Sequence, residues 1–318
     1  MPQPTRSDVH VDSALTNISV AYMQDASNFI ASKVFPQVPV NKASDKYYTY
    51  TKGDSRRNLV KPRAPGTESA GSGLTMGTDS YSCEIYAFHD DIADPDRDNA
   101  DDGVDLEEDA TRFVTELFMI NQEVQWTSDF FTTGKWDTDV TGDTDFTYWS
   151  DGASDPETDI DTGKKTILKS TGRMPNTLVV SFEVHQALKK HPLVTERFKY
   201  TSPDSITEAM LARFFEIENY YVSKASYNTG NEGGTDVDAF IAGKHALLCY
   251  VTPRPGLRTP TAGYTFVWKG LTGANNVGVA ISNFRMQHLK SDRIEGEYAY
   301  DNKVVSSDMG YFFSGAVA

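Results

Sequence analysis

The chain has 318 residues, a formal charge of −15, 39% hydrophobic residues and 12% aromatics. That is enough apolar material for a sizeable core or for two ordinary domains, and no apolar run approaches the roughly 18 residues of a membrane helix. An acidic balance argues against wrapping a nucleic acid by counterion release, which needs a basic face, so sequence-specific nucleic-acid binding is not expected.

The N-terminal MPQPTRSDVHVDSAL has no apolar core of the signal-peptide kind, and a cytosol is the expected site of synthesis. Cys83 and Cys249 lack metal-type spacing and read as buried thiols. Next, SKVFPQVPVNKASDKYYTY (32–50) crosses Pro36 and Pro39 and lays down a tyrosine-rich strand. Proline fixes φ and withholds a donor, so this stretch predicts an extended strap.

Charge then separates into blocks. Lys42, Lys46, Lys52, Arg56, Arg57, Lys61 and Arg63 are opposed only by Asp45 and Asp54. From Asp79 to Asp109 the balance reverses, with Arg97 as the single cation. The basic block reads as one arm of a hairpin: YYTYTK leads out, SYSCEIYAF (80–88) returns, and a Gly/Pro/Ser-rich connector without periodicity lies between. Connectors of that length inside a compact domain are functional or disordered. The sharper expectation is a projecting hairpin ordered by a neighbouring molecule, and with it a first ninety residues that cannot complete themselves within one chain.

Residues 105–133 run without Pro or Gly and predict a helix of about 40 Å. Its expected apolar face is Leu106, Ala110, Phe113, Leu117, Ile120, Val124 and Phe131. Acidic residues occupy the first turn, where the helix dipole favours them, and Gly134 is the expected stop. After an acidic, turn-rich connection, NTLVVS (176–181) predicts a strand, FEVHQALKKHP a helix closed by Pro192, and SITEAMLARFFEI (205–217) another helix. ENYYVSKASYN, KHALLCYVTP and GYTFVWKG read as strands, and the last segment as strands with a turn near Asp301-Asn302. Strand alternating with helix predicts a compact α/β layer here.

Motifs for chemistry are absent. Asp94, Asp96 and Asp98 open like an EF-hand loop, but Asn99 stands for its glycine and Asp105 for its glutamate. A second candidate, Asp137, Asp139, Gly142 and Asp145, ends on Tyr148. Gly163-Lys164 and Gly243-Lys244 lack the first glycine of a phosphate loop, and the six histidines have no ligand spacing. No catalytic residue, metal site or cofactor is assigned, and an enzyme is not expected.

The order of elements carries a resemblance: FIASKVFPQVPV, KYYTYTKGD opening a long hairpin, an acidic lead into one long helix, TGRMPNTLVVSFEVHQALKKHPLV, YYVSKASYN, and a closing DMGYFFSGAV. Over nearly its whole length the chain resembles the major capsid proteins of tailed bacteriophages, which share the Hong Kong 97-like fold. The resemblance implies an α+β subunit. Its N-terminal arm would span 1–42, its extended loop 43–90, its peripheral domain 91–165 with 285–318, and its axial domain 166–284. It implies pentamers and hexamers closing into an icosahedral virion shell around double-stranded DNA, assembled in a host bacterial cytoplasm. A separate scaffolding protein and a portal are the implied partners, with decoration proteins an open possibility. Some relatives crosslink lysine to asparagine; no local motif matches around Lys61 or Asn302, and neither is assigned that role. On this reading Arg56, Arg57, Lys61 and Arg63 meet Asp94, Asp96, Asp98, Asp101, Asp102, Glu107 and Glu108 of a neighbour. The alternatives are an encapsulin-type compartment shell and, further off, a calcium-dependent adhesion or glycan-binding protein.

Overall fold

A computed structural model describes residues 24–50, 52–100, 105–199, 206–231, 233–256, 259–271 and 279–318. The N-terminal half contributes α1 (Ala31–Val34), β1 (Gln37–Val40), β2 (Ser44–Tyr50), α2 (Lys52–Arg56), β3 (Met76–Ser82), β4 (Glu84–Ala93), α3 (Asp94–Asp98), α4 (Leu106–Phe130), β5 (Asp139–Thr141) and α5 (Pro156–Thr171). There follow β6 (Thr177–Ser181), α6 (Phe182–Lys190), α7 (Pro192–Phe198), α8 (Glu208–Phe214), β7 (Asn219–Ser223), β8 (Ser226–Asn228) and β9 (Asp238–Phe240). The chain closes with β10 (Ala246–Cys249), β11 (Gly263–Trp268), β12 (Ala280–Met286), β13 (Ser291–Val304) and β14 (Gly310–Ser314).

Helix α4 is the spine. The Asp105 carboxylate accepts from Glu107 N and Glu108 N, and Glu107, Glu108 and Asp109 place negative charge at the positive end of the dipole. Its 25 residues span about 38 Å. The buried row is Ala110, Val114, Phe118, Glu123, Trp126 and Phe130, whereas Phe113, Leu117, Ile120 and Val124 of the expected face are only half-buried. The reason lies in the partner strand. A Cβ on Gly296 would sit 2.5 Å from Phe118 Cε2 and 2.8 Å from Val114 Cγ1, so the missing side chain is what lets that row dock.

The first five-stranded sheet is built on the 14-residue β13. Strand β4 pairs antiparallel along one side, while β12 and then β11 pair along the other; Tyr300 sits opposite both Glu84 and Val267. Strand β1 joins β11 in parallel as an edge strand, and Pro39, which cannot donate to a ladder, is accommodated there. The turn expected near Asp301-Asn302 is not there: both residues lie in β13, opposite Phe266 and Thr265. Tertiary bonds override the turn propensity. Asp301 accepts from Ser82 N at 2.8 Å, and the Asn302 amide donates to Asp129 at 3.1 Å. The chain instead reverses at 287–290, with Lys290 at φ 51°.

The second sheet has the order β5-β14-β10-β6-β7, with β6 and β10 buried throughout. Leu178, Val180, Ala246, Leu248, Tyr311 and Phe313 face a core completed by α5, α6 and α8. Val179, Leu247, Cys249 and Phe312 face Trp126, Phe130 and Phe131 from the end of the spine. Burial on both faces accounts for the unbroken apolar strands. The single strand expected over ENYYVSKASYN is two, broken at Lys224-Ala225 so that β8 can pair with β9, and Pro192 opens α7 as well as ending α6.

Gly296→Ala is expected to pry α4 from the first sheet and to destabilise the unassembled subunit by about 1–3 kcal/mol, read from its urea midpoint. An unchanged midpoint would show that the close approach does not set the packing.

Candidate assembly interface

The hairpin β2–β3 pairs in register from Ser44 opposite Ser82 to Tyr50 opposite Met76. Its root is fixed. Tyr81 stacks on Phe266 with centroids 4.6 Å apart, Tyr47 lies 5.5 Å from the same ring, and Cys83 N donates to Ala43 O at 2.8 Å. Burial in this cluster pushes the Cys83 thiol up to about 11. Outward from the root the interior ends: every residue from Arg56 to Ser80 is exposed, including Leu59, Leu74, Met76 and a Val60 at 90%.

The basic residues divide. Arg56 donates to the carbonyls of Ser170 and Lys169 at the end of α5, and Lys52 pairs with Asp308 at 2.6 Å. Arg57, Lys61 and Arg63 are exposed and have no ion pair among the described residues. The acidic block is more neutralised than its own neighbourhood in sequence indicates. Asp94 is held below the usual carboxylate range by hydrogen bonds from Arg285. Arg97 bridges Asp292 and Glu107, Arg112 pairs with Glu108, and Arg293 grips Asp91 through two bonds of 2.7 and 2.8 Å. Asp96 and Asp98 are exposed without an ion pair among the described residues, and Asp101 and Asp102 lie outside them. The structure therefore brings Asp94, Glu107 and their partners together within one chain, and among the described residues no ion pair joins Arg57, Lys61 or Arg63 to them.

Sequence reasoning missed Glu123. Fully buried in the spine, its Oε2 accepts from Ile30 N at 2.9 Å and Ala31 N at 2.8 Å, and its Oε1 from Ser223 Oγ at 2.8 Å. One carboxylate thus caps α1 and ties it to α4 and β7. Gln24 repeats the tie one step earlier, donating from N to Glu116 Oε1 at 2.8 Å and from Nε2 to Ser226 O at 2.6 Å. Phe29, Ile30, Val34 and Phe35 are buried beside it, with Phe35 4.4 Å from Phe130. This corrects part of the expectation that the first ninety residues need a neighbour: residues 24–40 pack on their own chain, whereas β2 is largely exposed. The signal was a lone acid between Phe118 and Trp126 on an otherwise apolar row.

The other candidates for chemistry have structural partners. Gly163 permits α5 to approach Leu248, and the neighbouring Lys164 is buried with its Nζ 3.0 Å from Asp161. In the loop 137–148, Asp139 and Asp145 accept from the backbone N–H groups of Gly134 and Thr141. Burial pushes His185 and His245 down from their ordinary value; His185 lies 3.1 Å from Tyr220 Oη, and His245 accepts from Gly315 N. Among the described residues there is no group of three or more His, Cys, Asp or Glu able to hold a metal ion, and no helix long and apolar enough to cross a membrane.

No protein-family model matches the chain. Its fold is nevertheless a known one. A phage-related protein from Bordetella bronchiseptica superposes with a TM-score of 0.70 at 26% identity, over 92% of this chain and 94% of that one. The capsid protein of cyanophage P-SCSP1u gives 0.64 at 10% identity over 99% of both chains, and an encapsulin from Synechococcus elongatus 0.56 at 11% identity over 96% and 93%. The fold is therefore a mixed α+β one that matches phage capsid folds. In sequence, the chain is 29% identical to the major capsid protein of Burkholderia phage BcepMu over 96% of each, and 27% identical to that of Pseudomonas phage JBD67 over 97% of each. Together these similarities support the function of a tailed-phage major capsid protein, a structural protein of the virion capsid and not an enzyme.

Glu123 titrates above its usual range because burial outweighs the three hydrogen bonds it accepts. A raised folded-state value means that the native state holds its proton to higher pH than the unfolded chain does, so stability falls as pH rises through that interval. Glu123→Gln is expected to remove this component, flattening stability against pH above the ordinary glutamate range. Glu123→Ala leaves buried donors unmet and is expected to cost about 1–3 kcal/mol in urea denaturation. Wild-type behaviour of both variants would show that the carboxylate does not hold these elements together.

Proposed function

We propose that the chain is the shell-forming subunit of a tailed phage with the Hong Kong 97-like arrangement. Residues 43–90 serve as the extended loop, 91–165 with 285–318 as the peripheral domain carrying the spine, and 166–284 as the axial domain. Residues 1–42 serve as the arm, described only from Gln24 onward and anchored there by its own chain. Copies assemble through pentamers and hexamers into an icosahedral shell around double-stranded DNA, in the cytoplasm of a bacterial host. A separate scaffolding protein and a portal complete that assembly. The observation that carries the reading is the hairpin: a rooted arm whose outer length exposes apolar side chains and cations with nothing among the described residues to cover them.

The physics of such an interface divides the labour. Exposed ion pairs add little adhesion, so buried apolar area, at about 25 cal/mol per Å² removed from water, supplies most of it. Charge sets encounter and register. With Arg56 engaged on α5, the cations proposed to meet a neighbour are Arg57, Lys61 and Arg63, and the described acids without an ion pair are Asp96 and Asp98; Asp101 and Asp102, outside the described residues, stay in the proposal, while both oxygens of Asp94 are taken by Arg285. The encapsulin likeness favours a second reading, a compartment shell, which predicts a co-purifying cargo enzyme in place of DNA.

Expression of the full chain, with any scaffold encoded beside it, is expected to yield closed shells in negative-stain micrographs; a monodisperse monomer at high concentration would contradict the proposal. Combined Arg57→Ala, Lys61→Ala and Arg63→Ala is expected to slow assembly and to weaken its dependence on salt. Wild-type kinetics across a salt series would remove the electrostatic part.

A further inference from the structure

The hairpin is held at a second point that neither its root nor a neighbour supplies. Helix α5 ends at Gly172, in the left-handed conformation at φ 73°, whose N–H satisfies the carbonyl of Leu168. The next two carbonyls, Lys169 O and Ser170 O, accept instead from the two terminal nitrogens of Arg56. A guanidinium fork on the negative end of a 16-residue helix combines hydrogen bonding with the dipole. One turn earlier on α2, Lys52 reaches Asp308, and Ser170 Oγ donates to Asp308 O at 3.3 Å. The end of α5, the segment around Asp308 and the hairpin helix therefore meet at one place. On the far side of α2, Asp54 accepts from Thr75 N at 3.0 Å, so the returning chain is fastened to the same short helix. The exposed stretch from Arg57 to Leu74 is a loop with both ends gathered on a braced helix, not a free tether.

We propose that α2 is a brace: Arg56 and Lys52 fix the direction in which the hairpin leaves its own subunit, so that the loop is presented in one orientation before a neighbouring copy arrives. Ordering a segment at the moment of docking opposes association, and a segment ordered in advance has less freedom left to lose. The contacts are few, polar and half-exposed, so the brace is weak and local. It acts on the rate of subunit addition and leaves the fold of the body unchanged. This inference rests on the shell reading for its consequence, not for the contact itself. It assigns Arg56 a role inside the subunit, unlike Arg57, Lys61 and Arg63.

Two readouts on the full chain separate the contact from its consequence. In the unassembled subunit, Lys52→Ala with Arg56→Ala is expected to speed hydrogen exchange of the amides of residues 54–57 by about tenfold, while those of β13 keep wild-type rates. Shell formation by the same variant is expected to slow. The charge exchange Lys52→Asp with Asp308→Lys, in an otherwise wild-type chain, is expected to keep both near wild type. Unchanged exchange at 54–57 overturns the brace. Freed amides with assembly at or above the wild-type rate overturn its preorganising role, the faster case making the contact a lock. If the wild-type chain forms no shells at all, the shell reading fails while the exchange arm still decides whether the brace exists.

Discussion

A single buried carboxylate holds the subunit's layers in place. Glu123 sits where the spine helix passes between the N-terminal segment and the second sheet, and its two oxygens answer three donors from those two elements. Burying a charge or a polar group without partners is costly, so this position is stable only when α1, α4 and β7 are all present. The aromatic packing of Phe35 against Phe130 and Trp126 then has a defined geometry. From there the spine runs along β13, where Gly296 sets how closely the first sheet can approach. Root, brace and outward hairpin all hang on that frame.

Local chemistry announced some elements but not α5, whose Asp155 cap, Pro156 start and Gly172 stop belong to a helix that begins inside the stretch read as an acidic, turn-rich connection. The spine begins at an aspartate cap followed by acids but ends at Phe130, short of the expected stop at Gly134, and TLVVS is a strand buried on both faces. The hairpin showed itself by its tyrosine strand and a connector without periodicity, but its return strand is Met76–Ser82 and not 80–88, most of which lies in β4 of the first sheet. Where distant residues decide, reading along the chain failed. The docking face of α4 is selected by a glycine almost 180 residues away, and Asp301-Asn302 stays in a strand because Ser82 and Asp129 hold it there. The cations that neutralise the acidic block, Arg285 and Arg293, lie near the other end of the chain. Sequence proximity made that block look barer than it is.

The division between self-sufficient body and dependent arm gives the assembly its physical logic. The two sheets and the spine bury their cores within one chain. Association then needs to order one exposed loop and to cover its apolar side chains. Contacts of that kind are individually weak, and repetition by symmetry over a closed shell makes them collectively strong. The internal partners of residues 24–40 and the uncovered length beyond Arg56 mark where one behaviour gives way to the other.

Limited proteolysis of the full chain before and after assembly, with cleavage sites read by mass spectrometry, tests that division most directly. The account predicts rapid cutting within residues 57–75 of the unassembled subunit, loss of that cutting in the particle, and resistance of residues 29–40 in both. Equal cutting of 57–75 in subunit and particle, or ready cleavage beside Ile30 and Ala31 in the subunit, would contradict it.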